Sequence, residues 1–321
     1  MRPDCFLGID TSNYTTSAAL VGADGEVIAN CKRPLPVANG ECGLRQSDAV
    51  FAHIKNLPSL MEEVGDLMAG HRLAAIGVSE VPRRAAGSYM PCFLSGVAAA
   101  TAASAAASVP LYRFSHQCGH LAAAILSSER FDLFERPFGA FHVSGGTTEM
   151  LYVSSFAEDG FSVELLGGTA DLNAGQVIDR VGVMLGLAFP CGPALEGLAA
   201  TCTVRVPRPR ISVRGLTANL SGLENIAKRM WEESGDAALV AAYVLDFVAA
   251  TLAALTEGLF SVRGTLPVLY AGGVMCNRRI RARLAPLGDT AFAEPAFSAD
   301  NAAGIAFLCR RRHGGSYGNR N

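Results

Sequence analysis

Phe6-Leu7-Gly8-Ile9-Asp10-Thr11-Ser12-Asn13 and Phe138-Gly139-Ala140-Phe141-His142-Val143-Ser144-Gly145-Gly146-Thr147-Thr148 share one pattern. Each opens with an apolar run of strand length, reaches a tight polar turn, and returns as a second strand that ends near Ile28 in the first copy and near Ser154 in the second. Two such hairpins suggest a duplicated α/β lobe. Turns of this composition aim backbone N–H groups and hydroxyls at an anion, and glycine, lacking Cβ, lets a phosphate approach closely. A third stretch, Val268-Leu269-Tyr270-Ala271-Gly272-Gly273-Val274-Met275-Cys276-Asn277, reads as a buried strand, a glycine turn and an arginine-rich helix. There the backbone can pack against a flat ring or a ribose, and Asn277 offers both a donor and an acceptor. A helix over Gln176 to Leu185 leads into the tight loop Gly186 to Pro193. Strands and helices alternating in both halves predict two α/β lobes facing one another across a cleft.

With 321 residues, half of them hydrophobic, the chain can bury a large core and form two domains. Nine cysteines show no Cys-x-x-Cys pairing and leave one over, which fits reduced thiols and neither a disulfide framework nor a cysteine zinc site. Asp4 and Asp10 bracket the only apolar run at the N-terminus, unlike a signal peptide, so a cytoplasmic location is expected. No membrane span is read anywhere. The alanine-rich run Val97 to Val109, broken by Thr101, Ser104 and Ser108, is expected as a tightly packed internal helix. A formal net charge of −2 argues against holding nucleic acid by overall field. Arginines nonetheless cluster at 205–214, 278–283 and 310–312, where together they could follow a phosphate backbone.

His116 and His120, in Ser-His-Gln-Cys-Gly-His, lie one helical turn apart, so both imidazoles fall on one face and can grip one metal ion. A zinc-peptidase motif of this spacing carries a glutamate base beside the first histidine. Here that place holds Gln117, whose amide cannot take a proton from water.

With these segments in order, the sequence resembles the tRNA threonylcarbamoyladenosine transferase family, once named O-sialoglycoprotein endopeptidase. The matching segments are Leu7 to Ser12, the histidine pair, Val143 to Thr147, Ala174-Gly175 through Asp179 to Leu187, Pro190 to Pro193, Ser221 to Leu223, Ala271 to Val274 with Asn277, and Asp300-Asn301. The resemblance implies an actin-like, hexokinase-like ATPase fold of two ribonuclease-H-like lobes. These are expected at 1–110 and 111–321, the second carrying the metal helix and nucleotide pocket and the C-terminal segment returning to the first. It further implies metal ligands His116, His120 and Asp300 for one divalent ion, iron or zinc. Ser144, Gly145 and Gly146 are implied as the phosphate and acyl turn, and Asp179, Gly192, Gly272, Gly273 and Asn277 as contacts to an adenine nucleotide or threonylcarbamoyl-adenylate. Asp10 and Ser144 are the candidate catalytic positions. Read without the resemblance, Asp179 is an ordinary helix charge and Asn277 an ordinary helix cap.

The implied reaction passes a threonylcarbamoyl group from its adenylate to the exocyclic amine of the adenosine beside a tRNA anticodon. An amine of that kind is a poor nucleophile, so the chemistry needs an activated carbonyl, a good leaving group and charge stabilisation rather than a protein nucleophile. The implied partners are tRNA and other pathway proteins or a second family member, with no membrane. Four departures accompany the match: Asn13-Tyr14-Thr15-Thr16 for Cys-Asp-Glu-Thr, Glu80 to Arg84 for a Gly-Pro-Gly loop, Thr147 for histidine, and Asp171-Leu172-Asn173-Ala174-Gly175-Gln176 for Asp-Asp-Ala-Ala-Gly-Glu. They point to a divergent paralogue. Its alternative role is that of a metal- and nucleotide-binding protein that has lost transfer and regulates or pairs with another member.

Overall fold

A computed structural model describes residues 2–12, 14–36, 44–85, 87–157, 160–294, 297 and 302–317. The chain divides into two compact units: Met1–Phe131 with Phe156–Ser162 and Ala299–Asn321, and Asp132–Ser155 with Val163–Ser298.

In the first unit, β1 (Asp4–Ser12), β2 (Thr15–Gly22) and β3 (Val27–Pro34) form an antiparallel meander. β4 (Arg72–Val81) and β5 (Leu111–Ser115) extend it in parallel, giving the order β3-β2-β1-β4-β5. Parallel strands must be joined by a crossover, and α1 (Gln46–Leu67) and α2 (Phe93–Ala107) supply the two needed here. The sheet is buried on both faces, so β1 reads as a continuous apolar run rather than an alternating one. Ile9 and Thr11 meet Gly96 of α2 on one face. Gly8 and Gly77 meet α9 (Ala303–Tyr317) on the other. α9 also packs on α3 (His116–Ser127).

The second unit repeats this plan. β6 (Phe138–Val143), β7 (Thr148–Val153) and β8 (Val163–Thr169) form the meander, and β11 (Val268–Ala271) and β12 (Thr290–Phe292) extend it in parallel. The order β8-β7-β6-β11-β12 copies the first sheet, and β9 (Ser212–Arg214) and β10 (Thr217–Asn219) add a ribbon beyond β8. The helices are α4 (Ala174–Met184), α5 (Gly192–Ala200), α6 (Ser221–Ser234), α7 (Ala237–Arg263) and α8 (Arg278–Leu284). The two hairpins and the arginine-rich helix expected from the sequence are thus present.

Two expectations are corrected. The division at residue 110 moves, because β5 hydrogen-bonds to β4 over Ile76–Leu111 to Val81–Ser115 and carries the histidine helix into the first unit. The alanine-rich helix is not internal: only Phe93, Ser95, Gly96 and Ala100 of α2 are buried, because small side chains on one stripe suffice to approach the sheet. α7 is long and apolar enough to cross a membrane by length and composition, with 72% of its most apolar window buried in the fold. It is a core helix wrapped by its own unit, with Val240 to Leu259 inside the principal apolar cluster.

α9 reaches its position through missing side chains. A Cβ on Gly304 would lie 1.9 Å from the Gly119 carbonyl oxygen, and one on Gly8 would lie 2.4 Å from the Ala306 nitrogen. Gly304→Ala is therefore expected to destabilise the protein by about 1–3 kcal/mol through overpacking. Gly197→Ala, in an open stretch of α5, should gain up to about 1 kcal/mol from helix propensity. Urea denaturation of both variants checks the contrast.

Candidate functional site

Asp10 lies near the carboxyl end of β1 and Ser115 ends β5, so both stand toward the carboxyl ends of parallel strands, where ligands of open α/β sheets gather. Ser115 caps α3 by accepting the Cys118 N–H at 3.2 Å, and His116 is the helix's first residue. Asp10 is fully buried. Its Oδ2 lies 2.7 Å from His116 Nδ1 and its Oδ1 accepts the Ser12 N–H at 2.8 Å. A carboxylate on Nδ1 places the proton there and leaves Nε2 as the lone-pair nitrogen. His120 Nε2 stands 2.9 Å from His116 Nε2, with ring centroids 4.3 Å apart. The two nitrogens expected to share a metal thus converge, and the buried Ser12 and Ser79 hydroxyls find no partner.

The donor set fits a divalent metal: two imidazole nitrogens, one held in its tautomer by a buried carboxylate, as metal-binding histidines usually are. Asp300 lies outside the described residues, and among those residues no third side chain joins the pair. Asp10, read from sequence as catalytic, is placed behind His116 and touches the imidazole rather than an open site. The sequence had marked Asp10 and His116 separately; nothing in either local pattern revealed that they meet.

In the second unit, the Ser144 hydroxyl accepts the N–H groups of Gly146 at 3.3 Å and Thr147 at 3.1 Å, so the serine shapes its own turn. Gly175 donates its N–H to the Ser144 carbonyl at 3.1 Å, and Ala174 donates to Thr148 Oγ1 at 2.9 Å. A Cβ on Gly175 would lie 2.6 Å from the Gly145 nitrogen, and one on Gly272 (φ 101°) 2.3 Å from the Val143 oxygen. Three separate segments are therefore brought together by glycines at these close approaches. Cβ atoms on Gly145, Gly146, Gly192 and Gly273 would meet no protein atom within 4 Å, so at these positions packing does not demand glycine.

Asp179 Oδ1 accepts the Cys191 N–H at 2.8 Å and ties the 186–191 loop to α4. Asn277 Oδ1 accepts the Ile280 N–H at 3.0 Å and caps α8. Asn277 is thus the helix cap read from the residues alone, whereas Asp179 does more than the ordinary helix charge read there, since it also holds a loop. A cavity of 550 Å³ opens beside Gly145, Gln176, Asp179, Val183, Phe189 and Glu224. Asp171, which sequence reading noted only as a surviving acid, anchors α6: its carboxylate accepts N–H bonds from Leu220 at 2.8 Å and Ser221 at 3.0 Å. Burial alone would raise its pKa, but hydrogen bonds from Ser221, Leu220 and Leu172 hold it down at about 2.

A depressed carboxylate pKa contributes stability that is present above the unfolded value and lost as pH falls through the folded one. Stability should therefore drop between about pH 4 and pH 2, and Asp171→Asn should cost about 1 kcal/mol at neutral pH, as loss of a cap does. Urea midpoints measured for the parent and variant over that pH range test this. Asp10→Asn should weaken divalent-metal retention by roughly 10–100-fold through the lost orientation of His116, and metal analysis of the purified variant reads it.

Solved structures share the fold at low identity. HypF from T. kodakarensis matches with TM-score 0.62 and 15% identity, over 98% of this chain and 48% of that one. A ROK family glucokinase from Streptomyces griseus, in complex with glucose and AMPPNP, matches with TM-score 0.53 and 13% identity over 96% and 99%. Component A of (R)-2-hydroxyglutaryl-CoA dehydratase from Acidaminococcus fermentans matches with TM-score 0.54 and 13% identity over 97% and 99%. These likenesses establish the actin-like ATPase fold expected from the sequence. Residues 43–307 match the family model TsaD, tRNA N6-adenosine threonylcarbamoyltransferase, and with most of its length described by that model the chain belongs to this family.

Proposed function

We propose that this chain transfers the threonylcarbamoyl group from threonylcarbamoyl-adenylate to N6 of the adenosine beside the tRNA anticodon. The observation that carries the reading is the pair of converging imidazole nitrogens, one fixed by the buried Asp10, within a member of this transferase family. His116 and His120, with Asp300 as third ligand, would hold a divalent metal, iron or zinc, whose positive charge polarises substrate oxygens. Ser144, Gly145 and Gly146 form the turn that would receive phosphate and acyl oxygens, with no Cβ on the glycines to block their approach, and Asp179, Gly192, Gly272, Gly273 and Asn277 border the adenylate. Asp10 positions His116 by holding its Nδ1 proton. The nucleophile is the RNA amine and the leaving group is AMP, so no protein side chain need form a covalent bond.

The departures from the family pattern favour a second reading: a metal- and nucleotide-binding paralogue that has lost transfer. Tyr14, where the family carries an acid, is 44% exposed and supplies no charge, and Thr147 replaces a histidine beside the serine turn. Small misalignments of a reactive pair are costly in rate. Other pathway proteins or a second family member would then supply what is missing, in the cytoplasm where tRNA resides.

Expression in a cell lacking its own transferase decides between the two. Recovery of the modified adenosine by mass spectrometry of tRNA nucleosides, abolished by His116→Ala, is the expected result. Failure to recover it with all pathway partners present and the protein folded and metal-loaded would leave the second reading standing.

A further inference from the structure

The stretch Thr201 to Asn219 contains no acid but carries arginines at 205, 208, 210 and 214 and prolines at 207 and 209. Elsewhere in the second unit Arg180, Arg263 and Arg279 find carboxylates in Glu224, Glu164 and Asp246. Among the described residues, which include every acid of this unit, Arg205, Arg208, Arg210 and Arg214 make no ion pair, side-chain hydrogen bond or ring contact, and all four are exposed. Guanidinium groups do not shed their protons, so the stretch holds a fixed positive charge that no acid of the unit contacts.

The backbone sets the spacing of these charges. Proline fixes its own φ and pushes the residue before it into the extended region, so Val206 to Pro209 do not coil into a helix. From Arg208 onward burial alternates: Arg208, Arg210, Ser212 and Arg214 are exposed, while Pro209, Ile211 and Val213 are half-buried, the last two against the principal apolar cluster. This is the period of an extended chain with one face on a core, and it puts alternate residues about 6–7 Å apart. Successive phosphates along one polynucleotide strand have a similar separation, and each guanidinium offers a phosphate two parallel N–H donors. An acidic peptide, whose carboxylates sit on side chains of varied reach, has no fixed repeat to meet the row. Strands β6, β8, β10 and β11 run in one direction, so the Ser144 turn after β6 and Ser221 after β10 share one edge of the sheet. Ser212, the first residue of β9, pairs with Asn219, the last of β10. The chain that bears Arg208 and Arg210 therefore enters the ribbon at the edge where the Ser144 turn lies.

We propose that Arg208 and Arg210, flanked by Arg205 and Arg214, bind successive phosphates along one strand of the RNA substrate and lead it toward the edge that carries the Ser144 turn. The proposal rests on RNA being the substrate under the proposed function. It explains how a chain of net charge −2 holds a polyanion: through a local row of uncommitted charges and not through its overall field.

Binding of unmodified tRNA by fluorescence anisotropy, across a series of salt concentrations, tests it with the full-length protein and the double variants Arg208→Ala/Arg210→Ala and Arg208→Lys/Arg210→Lys. The alanine variant should bind roughly tenfold more weakly near physiological salt and flatten the log–log salt slope by about 1.5, as expected for two lost phosphate contacts. The lysine variant should keep the parent's slope, because the slope counts neutralised phosphates and both charges remain. Melting temperatures and ATP binding confirm that folding and the nucleotide site survive these exposed substitutions. Unchanged tRNA affinity and slope in the folded alanine variant overturn the proposal while leaving the transferase reading untouched. Polyglutamate that displaces labelled tRNA from the parent as well as unlabelled tRNA of equal total charge marks a surface for acidic protein and overturns the RNA assignment. Absence of tRNA binding by the parent protein also overturns it; recovery of the modified adenosine in the complementation experiment above then shows separately whether the transferase reading stands.

Discussion

Close packing between α9 and α3 is the constraint on which the histidine-bearing face depends. Gly304 and Gly119 bring two helical backbones into contact where any side chain would separate them. Ile305 fills the space beside Gly119, and on the sheet side Gly8 and Gly77 admit α9 directly onto β1 and β4. Because His116 and His120 flank Gly119 on the same helix, their placement against Asp10 is inherited from this packing. The hydrogen bond from His116 to Asp10 can be 2.7 Å only if helix and sheet are held at one separation. Interiors packed to crystal-like density transmit such constraints because they have little slack to absorb a displaced backbone.

Duplication gives the two units the same skeleton and different uses. Each begins with a hairpin whose first strand receives a parallel neighbour, β4 in one and β11 in the other. The first turn follows a buried aspartate that orients an imidazole. The second follows a valine and closes through Ser144, with backbone N–H groups in place of acids. One architecture therefore carries a carboxylate against an imidazole and, in its copy, a serine-closed glycine turn. The difference between the units is written in two or three turn residues, while the strands beneath them are interchangeable apolar runs.

Much of this was legible in the chain. Apolar runs bounded by Ser, Thr, Asn and Gly fixed the hairpins, because strand period and turn chemistry are local properties. The one-turn histidine pair was legible for the same reason. What escaped was tertiary. No local pattern tells that Asp10 reaches a histidine 106 positions away, or that β5 pairs with β4 and draws the histidine helix into the first unit. The alanine-rich α2 looked internal because hydrophobicity reports composition, whereas burial depends on which neighbours arrive. α7 shows the converse: a helix apolar all round can look membrane-compatible and still be the centre of a globular core. Asp179 illustrates a further limit: its charge reads as an ordinary helix charge, and only the fold shows that it closes the 186–191 loop.

Asn277 carries a consequence for selectivity. Its oxygen is turned inward onto the Ile280 N–H, which fixes the amide's orientation: the oxygen must face the donor. The other end of the amide is its NH2, a pure donor. A ring edge meeting it must offer a lone pair, as the unprotonated nitrogens of adenine do and its exocyclic amine does not. Under the proposed function the helix cap would act as a polarity filter, coupling the stability of α8 to the preference among purine edges through a single amide. Exchanging Asn277 for aspartate would keep the cap and invert the filter, offering an acceptor where a donor had been.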